Sequence, residues 1–429
     1  MILSYILLMN TINPIVILDI FDIHPTFEQF KTKINEKSED GQRIYNLEIK
    51  ETDKLVIVYC DNFNPSNDVE LWTKSIIFEK QTMKPIGSQF NNIVYNDDAI
   101  DELKKINWNY VEVEPCFEGT VLLVYNFENK WYISTRRCID ASKSIWIKGI
   151  SYYDMFLQIG LDFATLNPNY CYQYVLVHYL NKNIVTYANL PKEYKVLVNT
   201  NIMEKYTLKN IPANGVAKIP IVNLNNALTF VKQMNDYDIS QQLITNEGLI
   251  VKLYNKDKTF CKTYKLQTDL YKYISSIKPN ISNTEQLYLE LYQKNQLIDY
   301  LKYTSRYGGK IVNRIDTSFK TLSKELLNLY HATRHKQNQE IYNKLRSGQK
   351  NALYELHGIY IKMRAEDLAK KQLFRSLSIF DVYHYLKRTS PEHLRQIYYE
   401  RMQQFNSNQT DFLLKCNETY MQTKLMFNL

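Results

Sequence analysis

Cys116-Phe117-Glu118-Gly119-Thr120-Val121-Leu122-Leu123-Val124-Tyr125 is the stretch from which the rest of the chain can be read. From Thr120 onward it is an unbroken run of β-branched, aliphatic and aromatic side chains, the composition of a buried strand. An acid and a glycine stand just ahead of that run, as in a tight turn feeding a strand. Asn126-Phe127-Glu128-Asn129-Lys130 then read as a hairpin loop, with Trp131-Tyr132-Ile133-Ser134-Thr135 returning as the paired strand. About 130 residues downstream, Glu247-Gly248-Leu249-Ile250-Val251-Lys252 again opens an apolar strand with an acid and a glycine. Many strands look like this second segment by itself, and its weight comes from its order and spacing relative to the first.

Outward from these two segments, the pattern up to about Tyr273 is one of short β-type runs, such as Lys54-Leu55-Val56-Ile57-Val58-Tyr59, interrupted by helical stretches over 97–106 and 224–234. The order is mixed rather than alternating, which favours an α+β fold built on antiparallel sheets over a doubly wound one. After Pro279 the period changes. Leu287, Leu291, Leu297 and Leu301, then Leu322, Leu326, Leu327 and Tyr330, fall three and four apart, as amphipathic helices require. Ser390-Pro391-Glu392 combines a capping serine, a first-turn proline and an acid, so another helix is expected to start there. The expected division is 1–70 and 71–278 within one α+β domain, then an all-helical domain over 284–429.

With 429 residues, 45% hydrophobic and 23% charged, the chain has the composition of a soluble globular protein with a sizeable core. The six cysteines (Cys60, Cys116, Cys138, Cys171, Cys261, Cys416) show neither metal-ligand spacing nor a disulfide framework, which points to a reducing, cytoplasmic setting. The apolar start Met1–Leu8 is broken by Asn10, Asn13 and Pro14 and is too short to span a bilayer, so no membrane partner is expected. From Glu285 to Leu429 there are 23 Lys and Arg against 14 Asp and Glu, leaving 30 against 31 before it. The basic surplus thus belongs to the helical third. There, His331, Arg334, His335, Lys336, Lys350, Tyr354, Tyr360 and Arg364 interleave cations and aromatics in a way that suits single-stranded RNA. A solvated, lysine-rich helical surface accounts for the same asymmetry.

The two glycine segments, their spacing and the runs between them resemble the covalent nucleotidyltransferases, the polynucleotide ligases and mRNA capping enzymes, and among these the phage-type RNA ligases. The resemblance covers roughly 71–273. It implies a ligase-like domain whose first motif, Lys-x-Asp-Gly, falls on Cys116–Gly119 and whose Glu-Gly-x-Val-x-Lys motif falls on Glu247–Lys252. Upstream, Lys74-Ser75-Ile76-Ile77-Phe78, with a stretch leading to Phe90-Asn91, is similar to the family's Arg-Gly-Ile-Ile-Phe segment. Ser134-Thr135-Arg136-Arg137 is similar to its Ser-Thr-Arg-Gly strand end, and Lys262–Thr268 to its closing Lys-x-Lys-Thr strand, set off by a turn at Asn255-Lys256-Asp257-Lys258. By that resemblance Cys116, Glu118 and Glu247 occupy catalytic positions. Lys74, Gly119, Arg136, Lys252, Lys265 and Gln267 occupy nucleotide-binding ones, and Glu247 is also the position of a metal ligand.

Four departures change what the resemblance implies. The family's nucleophile is a lysine amine that attacks the nucleotide α-phosphate, and here a thiol stands in its place, with no cation near it in sequence. An acid expected on the strand Tyr174–His178 is replaced by Val175 or Leu176, depending on register. The second lysine of the closing strand is Gln267, and the family arginine is Lys74. The expected protein is therefore RNA-ligase-like and catalytically degenerate, binding RNA or a nucleotide. The alternatives are an active ligase or guanylyltransferase with an altered nucleophile, using ATP and Mg²⁺, or a structural protein of the virion. The Lys-, Asn-, Ile- and Tyr-rich composition resembles that of an AT-rich large DNA virus, which would place the chain in the host cytoplasm or the virion.

Overall fold

A computed structural model describes residues 16–21, 24–61, 67–89, 93–147, 149–187, 189–211, 215–256, 260–305, 308–335 and 338–406, with the backbone alone at 16, 260, 261, 335, 402 and 404–406. The Met1–Leu8 run, Phe90-Asn91, the Asp257-Lys258 turn, Lys336 and Cys416 lie outside the described residues. The chain divides into two compact units, Met1–Tyr273 and Ile274–Leu429.

The first unit is α+β, and its described strands form three large sheets. An antiparallel meander of Leu47–Glu51, Leu55–Cys60, Ile76–Glu79 and Pro85–Ser88 makes the N-terminal sheet. Thr120–Phe127 lies inside a five-stranded antiparallel sheet, between Lys130–Ser134 and Tyr170–His178, with Lys195–Glu204 and Asn210–Ile211 beyond. Val111–Pro115, Gly248–Tyr254 and Phe260–Gln267 form a third sheet. Its outer strand, Ile93–Tyr95, runs parallel to Phe260–Gln267, a single exception to the antiparallel plan. The hairpin after Thr120–Phe127 is tighter than the sequence suggests. Only Glu128 and Asn129 turn, with φ of 50° and 61°, the left-handed pair that matches strand twist in a two-residue loop.

Side-chain alternation decides what each sheet face covers. In the five-stranded sheet, Leu122, Val124, Tyr172, Tyr174 and Leu176 face Met155 and Phe156 of the helix Tyr152–Leu157. Leu123, Tyr125, Cys171 and Met203 face Leu55, Ile57, Tyr59 and Ile77 of the N-terminal sheet. That second face continues past the N-terminal sheet as a separate apolar cluster of Val121, Val175, Val177 and Val198 with Phe117, Tyr187 and Tyr194. The third sheet buries Val113, Leu249, Val251, Tyr264 and Leu266 against the helices Asn96–Leu103 and Leu224–Gln241. Its alternate residues, Glu112, Glu114, Cys116, Ile250, Lys252, Thr263, Lys265 and Gln267, therefore share the opposite face.

The regular elements described in the second unit are all helices, from Thr284–Gln293 to Pro391–Asn406. Leu287, Leu291, Leu297, Leu301, Leu322 and Leu326 are buried, as their spacing requires, together with Phe319, Leu353, Leu356, Leu394 and Tyr398. Arg401 and Glu325 form an ion pair inside this core. The helix expected at Ser390-Pro391-Glu392 begins at Pro391, with the Ser390 hydroxyl accepting from the His393 N–H at 3.2 Å. His331 and His335 sit in a π-helical turn that ends the helix Gly308–Tyr330. No helix among the described residues is long and apolar enough to cross a membrane.

Candidate functional site

The segment Cys116–Gly119 joins two sheets. Val111–Pro115 belongs to the third sheet and Thr120–Phe127 to the five-stranded one, so the four residues between them lie at the seam. The Cys116 N–H donates to the Gly248 carbonyl at 2.9 Å, extending the ladder one residue beyond Pro115 and placing the two glycine segments side by side. Both glycines are required sterically. At Gly248, φ is +148° and a Cβ would lie 2.0 Å from the Leu266 carbonyl oxygen. At Gly119 it would lie 2.4 Å from the Leu176 oxygen. Neither gap accepts a side chain.

Across this seam Cys116, Glu247, Lys265 and Gln267 come together, while Lys74 and Arg136 do not join them. Glu247, 4% exposed, forms an ion pair with Lys265 and accepts from Gln267 Nε2 at 3.0 Å. Asn96 fixes Gln267 twice: its Nδ2 donates to Gln267 Oε1 at 3.1 Å, and its Oδ1 accepts from the Gln267 N–H at 3.0 Å. The Cys116 thiol meets both Lys265 and Glu247. The sequence showed no cation near this cysteine; folding supplies one from a strand about 150 residues away. Burial nevertheless dominates and pushes the thiol well above its ordinary range, with Lys265 opposing and Glu247 reinforcing the shift. Burial also works against the Lys265 ammonium, but the acidic groups beside it, Cys116 and then Glu247, outweigh that and raise its pKa. Cys116 is thus a protonated thiol and Lys265 a fixed cation.

Glu118 is turned to a structural task. Its Oε2 accepts from the Ile184 and Val185 N–H groups, each at 2.7 Å, and its Oε1 from the Tyr271 hydroxyl at 2.9 Å and Asn183 Nδ2 at 3.3 Å. The Tyr187 hydroxyl donates to the Glu118 carbonyl at 2.8 Å. Burial raises the Glu118 carboxyl above its usual range against the pull of the two backbone donors. Burial likewise raises Tyr271, with Glu247 and Glu118 adding to the effect, so its phenol stays a donor.

Lys252 points across to the five-stranded sheet. Its ammonium lies 2.7 Å from Glu114 Oε2 and 2.9 Å from the Thr200 carbonyl oxygen, with the two charged side chains 7% and 5% exposed. The register left open in the sequence is settled here. Val175 faces the seam within the apolar cluster beside Phe117, and Leu176 faces away. With a valine there, and the Glu247 carboxylate engaged by Lys265 and Gln267, this donor set does not suit a divalent cation. Among the described residues, no group of three His, Cys, Asp or Glu is arranged around a common point for a metal.

Lys74 and Arg136 form a second group. Arg136 contacts Asp61 at 3.4 Å, and Arg137 contacts the same carboxylate at 2.7 Å. Burial first, and then the charge of Arg136, lowers the Lys74 pKa.

Sequence reasoning missed Tyr271, Tyr187, Asn96 and Asp238. Asp238, fully buried, accepts from the Thr245 and Asn246 N–H groups, each at 3.0 Å, and so fixes the approach to Glu247. Only Tyr271 had a local signal: Thr268 caps the helix that carries it, accepting from the Tyr271 N–H at 3.2 Å. The others are placed by tertiary contacts.

No family model matches the chain. It is similar to two proteins described as "Immediate-early protein ICP-46 homolog". Identity to the one from Invertebrate iridescent virus 3 is 32% over 107 residues, 23% of this chain and 24% of that protein. Identity to the one from Invertebrate iridescent virus 6 is 23% over 321 residues, 65% of each chain. The chain therefore spans about a quarter of the first relative and just under two thirds of the second. Among solved structures it is similar to a putative ATP-dependent DNA ligase from Aquifex aeolicus, with a TM-score of 0.39 at 13% identity over 60% of this chain and 67% of that one. An archaeal ATP-dependent RNA ligase gives 0.38 at 13% identity over 60% and 65%.

Proposed function

We propose that this chain is an RNA-ligase-like protein that binds nucleic acid or a nucleotide and does not charge itself with one. The reading is supported by the seam, where the Cys116 and Glu247 segments lie side by side and the acids and cations named there are already engaged. Lys265 neutralises Glu247, Lys252 neutralises Glu114, and the Glu118 carboxylate is filled by four donors. A protonated thiol at the nucleophile position is a poor attacker of phosphorus. The iridescent-virus relatives support a viral setting, in infected-cell cytoplasm or the virion. The basic helical third is the proposed RNA partner surface.

The test is incubation of the full chain with α-labelled ATP or GTP and Mg²⁺ or Mn²⁺, alongside equilibrium binding of the same nucleotides and of single-stranded RNA. Binding without a protein-bound label is expected. A covalent label abolished by Cys116→Ala overturns the reading. Absence of all binding, at any salt concentration, favours the structural role instead.

One observation favours a second, active reading: among the described residues, the ammonium that meets Cys116 at the seam is that of Lys265. If an amine accepts a nucleotide here, it is this one: with its proton given to Glu247, Nζ forms a bond to the α-phosphorus of ATP or GTP as the bond to the β-phosphate oxygen breaks and pyrophosphate leaves. The label would then be lost in Lys265→Met and kept in Cys116→Ala.

A further inference from the structure

Four cations from three distant parts of the chain gather at one edge of the first unit. Lys50 lies near the end of the edge strand Leu47–Glu51, on the face that also carries Tyr59, whose ring centroid is 5.5 Å from the ammonium. From there Lys50 Nζ donates to the Arg137 carbonyl at 2.9 Å, tying the N-terminal sheet to the turn after Lys130–Ser134. Arg136 and Arg137 occupy that turn, closed by the Thr135–Cys138 bridge. The Cys60 N–H donates to the Thr73 carbonyl at 2.9 Å, which brings Lys74 alongside.

The charges do not balance. Asp61 serves both arginines, and the two acids of the edge strand are taken up elsewhere, Glu48 by Arg43 at 2.8 Å and Glu51 by Lys31 at 2.8 Å and Lys80 at 2.6 Å. Lys74 makes no ion pair among the described residues, although it is half-buried and sits beside Arg136. Holding like charges together, one of them partly desolvated, costs free energy that a bound polyanion offsets. Two guanidinium forks flanked by two ammonium groups match a row of phosphates, each fork gripping one oxygen pair and each lysine acting as a point charge.

We infer that Lys50, Lys74, Arg136 and Arg137 form a docking surface for the phosphodiester backbone of a single-stranded nucleic acid. The inference deepens the function proposed above and rests on it. It adds Lys50 and Arg137, and it assigns Lys74 and Arg136 to strand backbone rather than to a mononucleotide.

The experiment compares the full chain with the triple variant Lys50→Gln, Lys74→Gln, Arg137→Gln, which leaves Arg136 to Asp61. Binding of a fluorescent 20-nucleotide single-stranded RNA is read by anisotropy across a salt series, with thermal melts to establish that the variant is folded. Each lost phosphate contact lowers the slope of log K against log salt by about 0.7 for a single strand, so a reduction of roughly 2 is expected. Affinity at low salt should fall at least about tenfold, and Lys50→Arg with Lys74→Arg should retain it. An unchanged slope in a folded variant whose parent binds RNA overturns the inference alone. Failure of the parent to bind RNA at any salt overturns it together with the proposed function. Equal capture of polyglutamate and RNA by the parent assigns the surface to an acidic protein and also overturns the inference.

Discussion

Lys265 reaches Glu247 from the neighbouring strand and ends against Cys116, so that a cation from a strand about 150 residues away stands beside the thiol at the seam. The register accounts for this. Lys265 pairs with Ile250 in the ladder, and the residues on the seam face of the third sheet alternate with those packed on its helices. A long side chain at 265 can therefore only point into the seam.

An amine placed at position 116 should bring no nucleotide transfer. Cys116→Lys puts a second ammonium beside Glu247, and two cations about 4 Å apart repel by on the order of 4 kcal/mol at an intermediate effective dielectric. The single variant is expected to unfold at lower urea and to take up no labelled nucleotide. Adding Lys265→Met should recover most of the lost stability. Equilibrium unfolding of the two variants decides it.

Lys252 and Glu114 make a buried pair between strands, so removing one partner leaves an uncompensated charge. Lys252→Met is expected to lose about 3–5 kcal/mol. The double variant Lys252→Met, Glu114→Gln should lose less than Lys252→Met alone, a coupling that a double-mutant cycle measures. Additive losses would mean that the two groups do not sense each other.

The raised Cys116 pKa has a definite sign. A thiol that stays protonated when folded contributes its full stability below the ordinary thiol pKa, about 8.5. Above that the unfolded chain gains by ionising and the contribution declines. Stability of the parent relative to Cys116→Ala should therefore fall between about pH 8 and pH 10. In the same range, alkylation of Cys116 by iodoacetamide should be far slower than that of a free thiol. Rapid alkylation at pH 7, mapped to Cys116 by mass spectrometry, would contradict a protonated thiol.

Gly248→Ala meets both a left-handed φ and a backbone oxygen at 2.0 Å. A loss of about 3 kcal/mol or more is expected, enough to lower Tm by many degrees. Gly119→Ala, which meets only the close contact, should lose less. Melting curves of the two variants rank them.

The parts of this fold that were legible in the sequence are those with a local period. Leu287 and Leu291, or Leu322 and Leu326, announce their helices because burial repeats every three to four residues, and the Thr120 strand is announced by its unbroken apolar run. The glycine segments were visible because only glycine tolerates their backbone contacts. What the sequence did not reveal depends on register and distance. Whether Val175 or Leu176 faced the seam turned on a single residue, since a one-residue slip reverses every side chain. No local signal links Lys265 to Cys116, Tyr271 to Glu118 or Lys50 to Arg137, because those pairings exist only once separate sheets meet.

The seam has one more consequence. Pro115 and Thr120 belong to different sheets and are separated by five peptide steps, which even at full stretch span roughly 17 Å. The tether sets an upper bound on how far the two layers can part at that corner.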